Sequence, residues 1–190
     1  LTKALALDLA GLTGYCVGVA GETPRVGTWR LRKRGQTSED AARNLGCLLR
    51  DMFVLDLPDI IFAEDFMSLA AQLSADSGEM ALRLHGALDA VAGAYGIPVR
   101  RTSAATIRVH FIGKATAHPP RKRGDPPRTA RQKAQMREDT KRLVWRRAVQ
   151  LGYIARGETE QFDISDAIAV FDHGVSTFCK VQRFQLFAEA

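Results

Sequence analysis

The apolar residues of this chain fall into short runs separated by turn-forming residues, and their period changes along the sequence. Residues 3–9 carry the run Ala4-Leu5-Ala6-Leu7 and read as a short buried strand. Gly11 and Gly14 punctuate a turn, and Tyr15 to Ala20 reads as a second strand. Gly21 to Pro24 makes the next turn, before a third strand from Val26 to Leu31. Three strands joined by short turns form an antiparallel meander. The period then lengthens. Ala41, Ala42, Leu45, Leu48, Leu49, Met52 and Phe53 lie on one stripe of a helix that Ser38 can cap. Pro58 closes the connection, and the strand Ile60-Ile61-Phe62-Ala63 ends at Glu64.

Residues 65–77 read as a loop or partial helix. From Gly78 a helix runs to about Tyr95, with Met80, Leu84, Leu88, Val91 and Ala92 inward, and Gly96 stops it. Ile97 to Thr102 is a strand, and Ser103 can cap a short helix through Phe111. Between Gly113 and Arg137 the pattern breaks: four prolines in residues 118–128 and almost no apolar content predict a projecting or disordered basic loop. A helix resumes near Glu138 and runs to Leu151, with Leu143, Val144, Ala148 and Leu151 inward. The last helix spans roughly 164–178, and Phe184 and Phe187 are expected to dock the tail. The strand-helix-strand crossover sets the later strands parallel to the first. The chain is thus expected to be a single α/β domain, 1–190, with an insertion at about 114–137. Its five-stranded mixed sheet has three antiparallel strands, then two parallel ones, flanked by helices. Asp8 and Glu64 then stand at the same end of adjacent strands, where open α/β sheets bind ligands.

Charge adds a partner to this outline. The net charge is +6, yet residues 100–147 hold 15 Lys/Arg against 3 Asp/Glu, a balance of +12, while the rest of the chain carries −6. An acidic body with one strongly basic region favours a polyanion over a merely solvated face. No run reaches the ~20 apolar residues of a membrane span, and no basic-then-apolar signal segment opens the chain, so a cytoplasmic location is expected. The chain starts at Leu1 rather than Met, so its true start is expected to be missing from it. Cys16, Cys47 and Cys179 are odd in number and far apart, without ligand spacing. They read as buried small apolar residues in a reducing compartment, not as a zinc site or a disulfide framework.

The candidate chemistry lies in four carboxylates. Asp8 and Glu64 each close an apolar run, and Asp163 and Asp166 open the last helix. Each has an ordinary explanation. Asp8 can cap a turn before Gly11, Glu64 followed by Asp65 can be surface, and Asp163-Ile-Ser-Asp166 fits a helix N-cap with an acid at the third position. Together they are harder to dismiss, because an acid in an apolar strand carries a desolvation cost. Clustered carboxylates without His or Cys suit hard cations such as Mg²⁺ or Mn²⁺. Two such ions can activate a water and stabilise the leaving oxygen of a phosphodiester.

The segments Leu7-Asp8-Leu9-Ala10, Glu64-Asp65-Phe66-Met67, Leu84-His85-Gly86-Ala87 and Asp163-Ile164-Ser165-Asp166-Ala167-Ile168-Ala169 resemble RuvC-type Holliday junction resolvases, of the ribonuclease H-like superfamily. The likeness runs from residue 3 to about 174. It implies a Mg²⁺-dependent, structure-selective endonuclease, usually a homodimer, that nicks two opposed strands of a four-way DNA junction. Asp8, Glu64, Asp163 and Asp166 match the family's metal-binding acids. Phe66 falls near the aromatic that meets bases at the crossover, although a core Phe is the competing reading. Arg108, in Ile107 to Gly113, stands where the family usually has Lys. Lys141, in Asp139-Thr140-Lys141, matches a second basic group beside the scissile phosphate; a plain helix-surface Lys is the alternative.

The insertion between Gly113 and Glu138 departs from the cellular enzymes and is reminiscent of phage-encoded relatives, which would place the protein in a bacterial or phage-infected cell. Its Lys114, Arg121, Lys122, Arg123, Arg128, Arg131 and Lys133 could grip DNA backbone without reading sequence, and such binding weakens steeply with salt. Other classes stay open: a ribonuclease H-like nuclease for RNA–DNA hybrids or other branched DNA, or an inactive DNA-binding relative. An actin-like sugar kinase, suggested by Leu7-Asp8-Leu-Ala-Gly-Leu-Thr-Gly14, would need a second domain for which 190 residues leave little room.

Overall fold

The alternation of side chains along the first strands decides the architecture. In the computed structural model, which describes residues 1–66, 74–120 and 124–179, the chain forms strands β1 (Lys3–Asp8), β2 (Leu12–Val19) and β3 (Arg25–Arg30), helix α1 (Ser38–Leu55), β4 (Ile60–Glu64), α2 (Ala75–Ala94), β5 (Val99–Thr102), and helices α3 (Ala104–Ile112), α4 (Ala130–Gln150) and α5 (Phe162–Phe178). The sheet order is β3-β2-β1-β4-β5. β1–β2 and β2–β3 are antiparallel, and β1–β4 and β4–β5 are parallel. The meander and crossover expected from the sequence are therefore present.

Period-2 alternation sends Leu5, Leu7, Val17, Ile61 and Ala63 to one face, where α1 and α2 cover them. Ala4, Ala6, Cys16 and Phe62 go to the other, under α3, α4 and α5. Both faces are covered, so the central strands read as unbroken apolar runs. The small Ala4 and Ala6 let α5 lie close to the sheet. At Gly174 of α5 a Cβ would collide with the ring of Phe62, which shows how tight that approach is. Among the described residues, no helix is long and apolar enough to cross a membrane.

Several boundaries differ from the sequence reading. Thr37, not Ser38, caps α1: its hydroxyl accepts from the Asp40 amide and Asp40 reaches back to the Thr37 amide. The Ser38 hydroxyl is turned instead toward Glu79 of α2, 3.1 Å away. α2 begins three residues before Gly78, capped by Ser74. Cys16 is buried as expected, but Cys47 is exposed on α1; its position falls outside the inward stripe. Residues 67–73 and the tail carrying Phe184 and Phe187 lie outside the described residues.

The largest difference concerns the basic insertion. α4 starts at Ala130, eight residues before the expected Glu138, behind a capping box of Thr129 and Gln132. Ala-Arg-Gln-Lys-Ala-Gln-Met-Arg contains strong helix formers and no proline, so propensity suffices where the apolar stripe is missing. The described part of the preceding loop stays off the core but is pinned to α4 rather than projecting freely. The Ala117 amide donates to Thr140 Oγ1 at 3.0 Å, and His118 Nε2 lies 2.8 Å from Asp139 Oδ2.

Candidate active site

Register brings the first two acids together. β1 and β4 pair in parallel with Leu7 opposite Ala63, so the next residues, Asp8 and Glu64, end neighbouring strands side by side. Asp8 is not needed to hold the turn after β1. The buried Thr13 does that: its hydroxyl accepts from the Ala10 amide at 3.1 Å and donates to the Ala10 carbonyl at 2.7 Å.

The second pair of acids arrives through a glycine. Gly14 lies inside β2, directly opposite Asp8, rather than in the turn. A Cβ at Gly14 would run into the carbonyl oxygen of Asp163 and press on the Ala167 methyl. The missing side chain is what lets the first turn of α5 rest on β2, next to Asp8. Nor does Asp163 cap that helix. Gln161 is the N-cap residue, with no side-chain cap bond, and the Ser165 hydroxyl donates to the Phe162 carbonyl. Gly14→Ala is expected to lift the start of α5 at a cost of about 1–3 kcal/mol. Urea denaturation measures the loss; unchanged stability would show that β2 and α5 part without penalty.

The four acids share one electrostatic environment. Burial, then Asp166, Glu64 and Asp163, push the Asp8 carboxyl well above its ordinary pKa, against a lowering by Lys141. Burial likewise raises Asp166, opposed by Lys141 and Arg108, and raises Glu64, opposed chiefly by Arg108. Lys141 Nζ stands 3.5 Å from Asp166 Oδ2, whose side chain is only 12% exposed. It also lies 5.9 Å from the centre of the Phe162 ring. Lys141 therefore belongs to the acid cluster and is not a plain surface lysine.

An all-carboxylate donor set in which burial raises Asp8, Glu64 and Asp166 has the chemistry of a hard-cation site: each dication would remove the repulsion that burial amplifies. The spacing is open, however. Among the described residues, no three His, Cys, Asp or Glu side chains stand close enough to hold a metal ion.

Two clefts flank the acids. One, of about 230 Å³, is lined by Asp8, Glu64, Phe66, Met80 and His85, among others. Phe66 is 38% exposed and is no core residue; its ring centre is 5.8 Å from that of His85. His85 was not singled out as a site residue by the sequence, where a lone His on a helix is commonplace. Burial and the neighbouring Arg101 hold its pKa below the usual histidine value. Arg101 Nε donates to His85 Nδ1 at 3.1 Å, so the neutral ring carries its proton on Nε2.

The other cleft, of about 500 Å³, joins Glu64 to Arg108, Arg128, Lys133, Arg137 and Lys141. Lys133, Arg137 and Lys141 recur at four-residue spacing and share a face of α4. Arg137 was missed because the helix was expected to begin after it. The remaining basic candidates separate. Arg131 is exposed on α4 outside this lining, Lys114 lines a different cleft, and Arg121, Lys122 and Arg123 lie outside the described residues.

No protein-family model matches the chain, and no curated protein does. Solved structures do. Thermus thermophilus RuvC superposes with a TM-score of 0.61 at 13% identity, over 95% of this chain and 98% of that one. T. thermophilus RuvC in complex with a Holliday junction substrate superposes with a TM-score of 0.58 at 10% identity, over 88% of this chain and 89% of that one. The chain thus has the ribonuclease H-like fold, in the form shared with RuvC across nearly its whole length.

Proposed function

We propose that this protein is a metal-dependent endonuclease that resolves four-way DNA junctions by nicking opposed strands. The observation that carries the reading is the gathering of Asp8, Glu64, Asp163 and Asp166 with Lys141 at the carboxyl ends of β1 and β4, beside a cationic groove that Glu64 and Lys141 line. The structural neighbour bound to a Holliday junction supports the choice of substrate.

In this reading Asp8, Glu64, Asp163 and Asp166 would hold two Mg²⁺ ions, with Mn²⁺ as a substitute, on closing the open spacing they have here. Such ions would supply an activated water and charge stabilisation for the leaving oxygen. The chain's own residues do the rest. Arg108 and Lys141 fix the scissile phosphate against the acids, Arg108 with a planar fork and Lys141 as a point charge. Arg128, Lys133 and Arg137 seat the adjoining backbone. Phe66, exposed beside the acids, offers a stacking face to a base unpaired at the crossover. Lys114, Arg131 and the triplet Arg121, Lys122 and Arg123 add sequence-independent attraction.

Opposed nicks call for two copies. On α2, Leu82 is 44% exposed, and Gly86 and Gly93 have open space where a Cβ would sit. That face supports a homodimer in which a second α2 packs closely across a twofold axis.

A cleavage assay decides the substrate. Four-way junctions, flaps, linear duplex and RNA–DNA hybrids are each incubated with Mg²⁺, Mn²⁺ or chelator. Paired nicks in the junction, absent in chelator, are expected. Faster cutting of hybrids would overturn the junction assignment, and cutting in chelator would overturn the metal mechanism.

A further inference from the structure

Beyond the acid-lined groove, α3 and α4 open another cleft, of about 660 Å³, lined by His110, Lys114, Arg146, Arg147 and Gln150 together with apolar neighbours. No carboxylate lines it. Among the described residues, Lys114, Arg146 and Arg147 make no ion pair, whereas Arg83, Arg101, Lys141 and Arg142 each have an acidic partner. The nearest buried acid faces inward. Asp172 is 1% exposed, and both its oxygens are engaged, one by His110 Nε2 and the other by the Tyr153 hydroxyl, each at 3.0 Å.

Three cations around one hollow repel each other unless an anion joins them. Arg146 and Arg147 follow Lys141 by five and six residues, which is about 7.5–9 Å further along the axis of α4 at 1.5 Å per residue. The helix also turns between these positions, so the cleft faces away from the acid groove.

We infer that the Lys114–Arg146–Arg147 cleft binds the phosphate backbone of a duplex arm leaving the junction, away from the cut. The inference rests on the nuclease reading for its substrate. Arginine forks suit phosphate oxygens. An acidic protein segment is the rival occupant.

The test measures junction binding in chelator, so that nothing is cut, as a function of salt. Wild type is compared with Arg146→Gln and with the Arg146→Gln/Arg147→Gln double variant. Each lost phosphate contact lowers the log–log salt slope by about 0.9, so the slope should fall by about 1 and then about 2. Arg146 is an exposed helix residue, so the single variant is expected to fold, which melting temperature checks. Junctions carrying single uncharged methylphosphonates locate the contact. Neutralising an arm phosphate away from the cut, at the position the cleft holds, should weaken wild type and leave the double variant unaffected. At the cut itself, neutralisation should weaken both alike.

An unchanged slope in the double variant overturns the inference while leaving the nuclease reading intact. So does equal sensitivity of both proteins at every methylphosphonate. Binding of polyglutamate but not DNA through these arginines would overturn it in favour of an acidic protein partner. If wild type shows the arm contacts but cuts hybrids rather than junctions, the junction assignment fails and the cleft's role in holding a duplex arm stands.

Discussion

Asp8→Asn should reduce Mg²⁺-dependent cleavage by about 10³-fold or more while leaving junction binding intact. The substitution keeps the side chain's shape and removes one charge from the centre of the acid cluster, where Asp8 faces Glu64, Asp163, Asp166 and Lys141. Loss of a ligating carboxylate forfeits several kcal/mol of charge stabilisation in the transition state, and each ~1.4 kcal/mol is tenfold in rate. In the proposed reading binding is held by different groups, the cations of α3 and α4, so affinity should stay the same or tighten slightly as one repelling charge disappears. Single-turnover cleavage and a binding titration in chelator separate the two effects. Normal cutting by the variant would show that the acids at these strand ends are not the nuclease centre. The turn after β1 offers no escape from that result, because Thr13 rather than Asp8 holds it.

The acids at strand ends were legible because each closes an uninterrupted apolar run, and the strand order alone placed Asp8 beside Glu64. What joins them to Asp163 and Asp166 was not legible. A glycine in a sequence offers a turn or a close approach, and Gly14 proves to be the latter; only the packing of α5 on β2 distinguishes the two. Arg137 and the first turns of α4 were hidden for a different reason. Periodicity detects a helix through the stripe it buries, and this one buries little before Thr140, so propensity and a capping box had to carry the signal. The same blind spot made the whole insertion look like loop. Lys141 was ambiguous until its distance to Asp166 was known, since a lysine on a helix face carries no mark of what it meets across the fold.

Those crowded acids also weigh on the fold itself. In chelator at neutral pH, Asp8→Asn should melt above wild type, and Mg²⁺ should raise the melting temperature of wild type far more than that of the variant. The sign follows from protons. Asp8, Glu64 and Asp166 have pKa values raised in the folded protein, by burial first, with Asp166, Glu64 and Asp163 also raising Asp8, Asp166 raising Glu64, and Asp163 raising Asp166. Between the ordinary carboxylate value of about 4 and the raised folded values, the folded state therefore holds more protons than the unfolded chain. Metal-free stability should fall as pH climbs through that window, then level off once the folded site is ionised. Lys141 and Arg108 offset part of the repulsion but not its direction. A cation that binds only the folded site stabilises by about 2.7 kcal/mol at 100 times its Kd. For a domain of this size, that corresponds to a rise of roughly 5–11 °C. Thermal melts of both proteins, in chelator and in Mg²⁺ and at several pH values from 4 to 8, read all of this without any substrate. Coincident melting of wild type and variant in chelator, with equal response to Mg²⁺, would mean that the acids neither repel one another nor share an ion. The proposed metal site would then fall even if the protein cuts DNA.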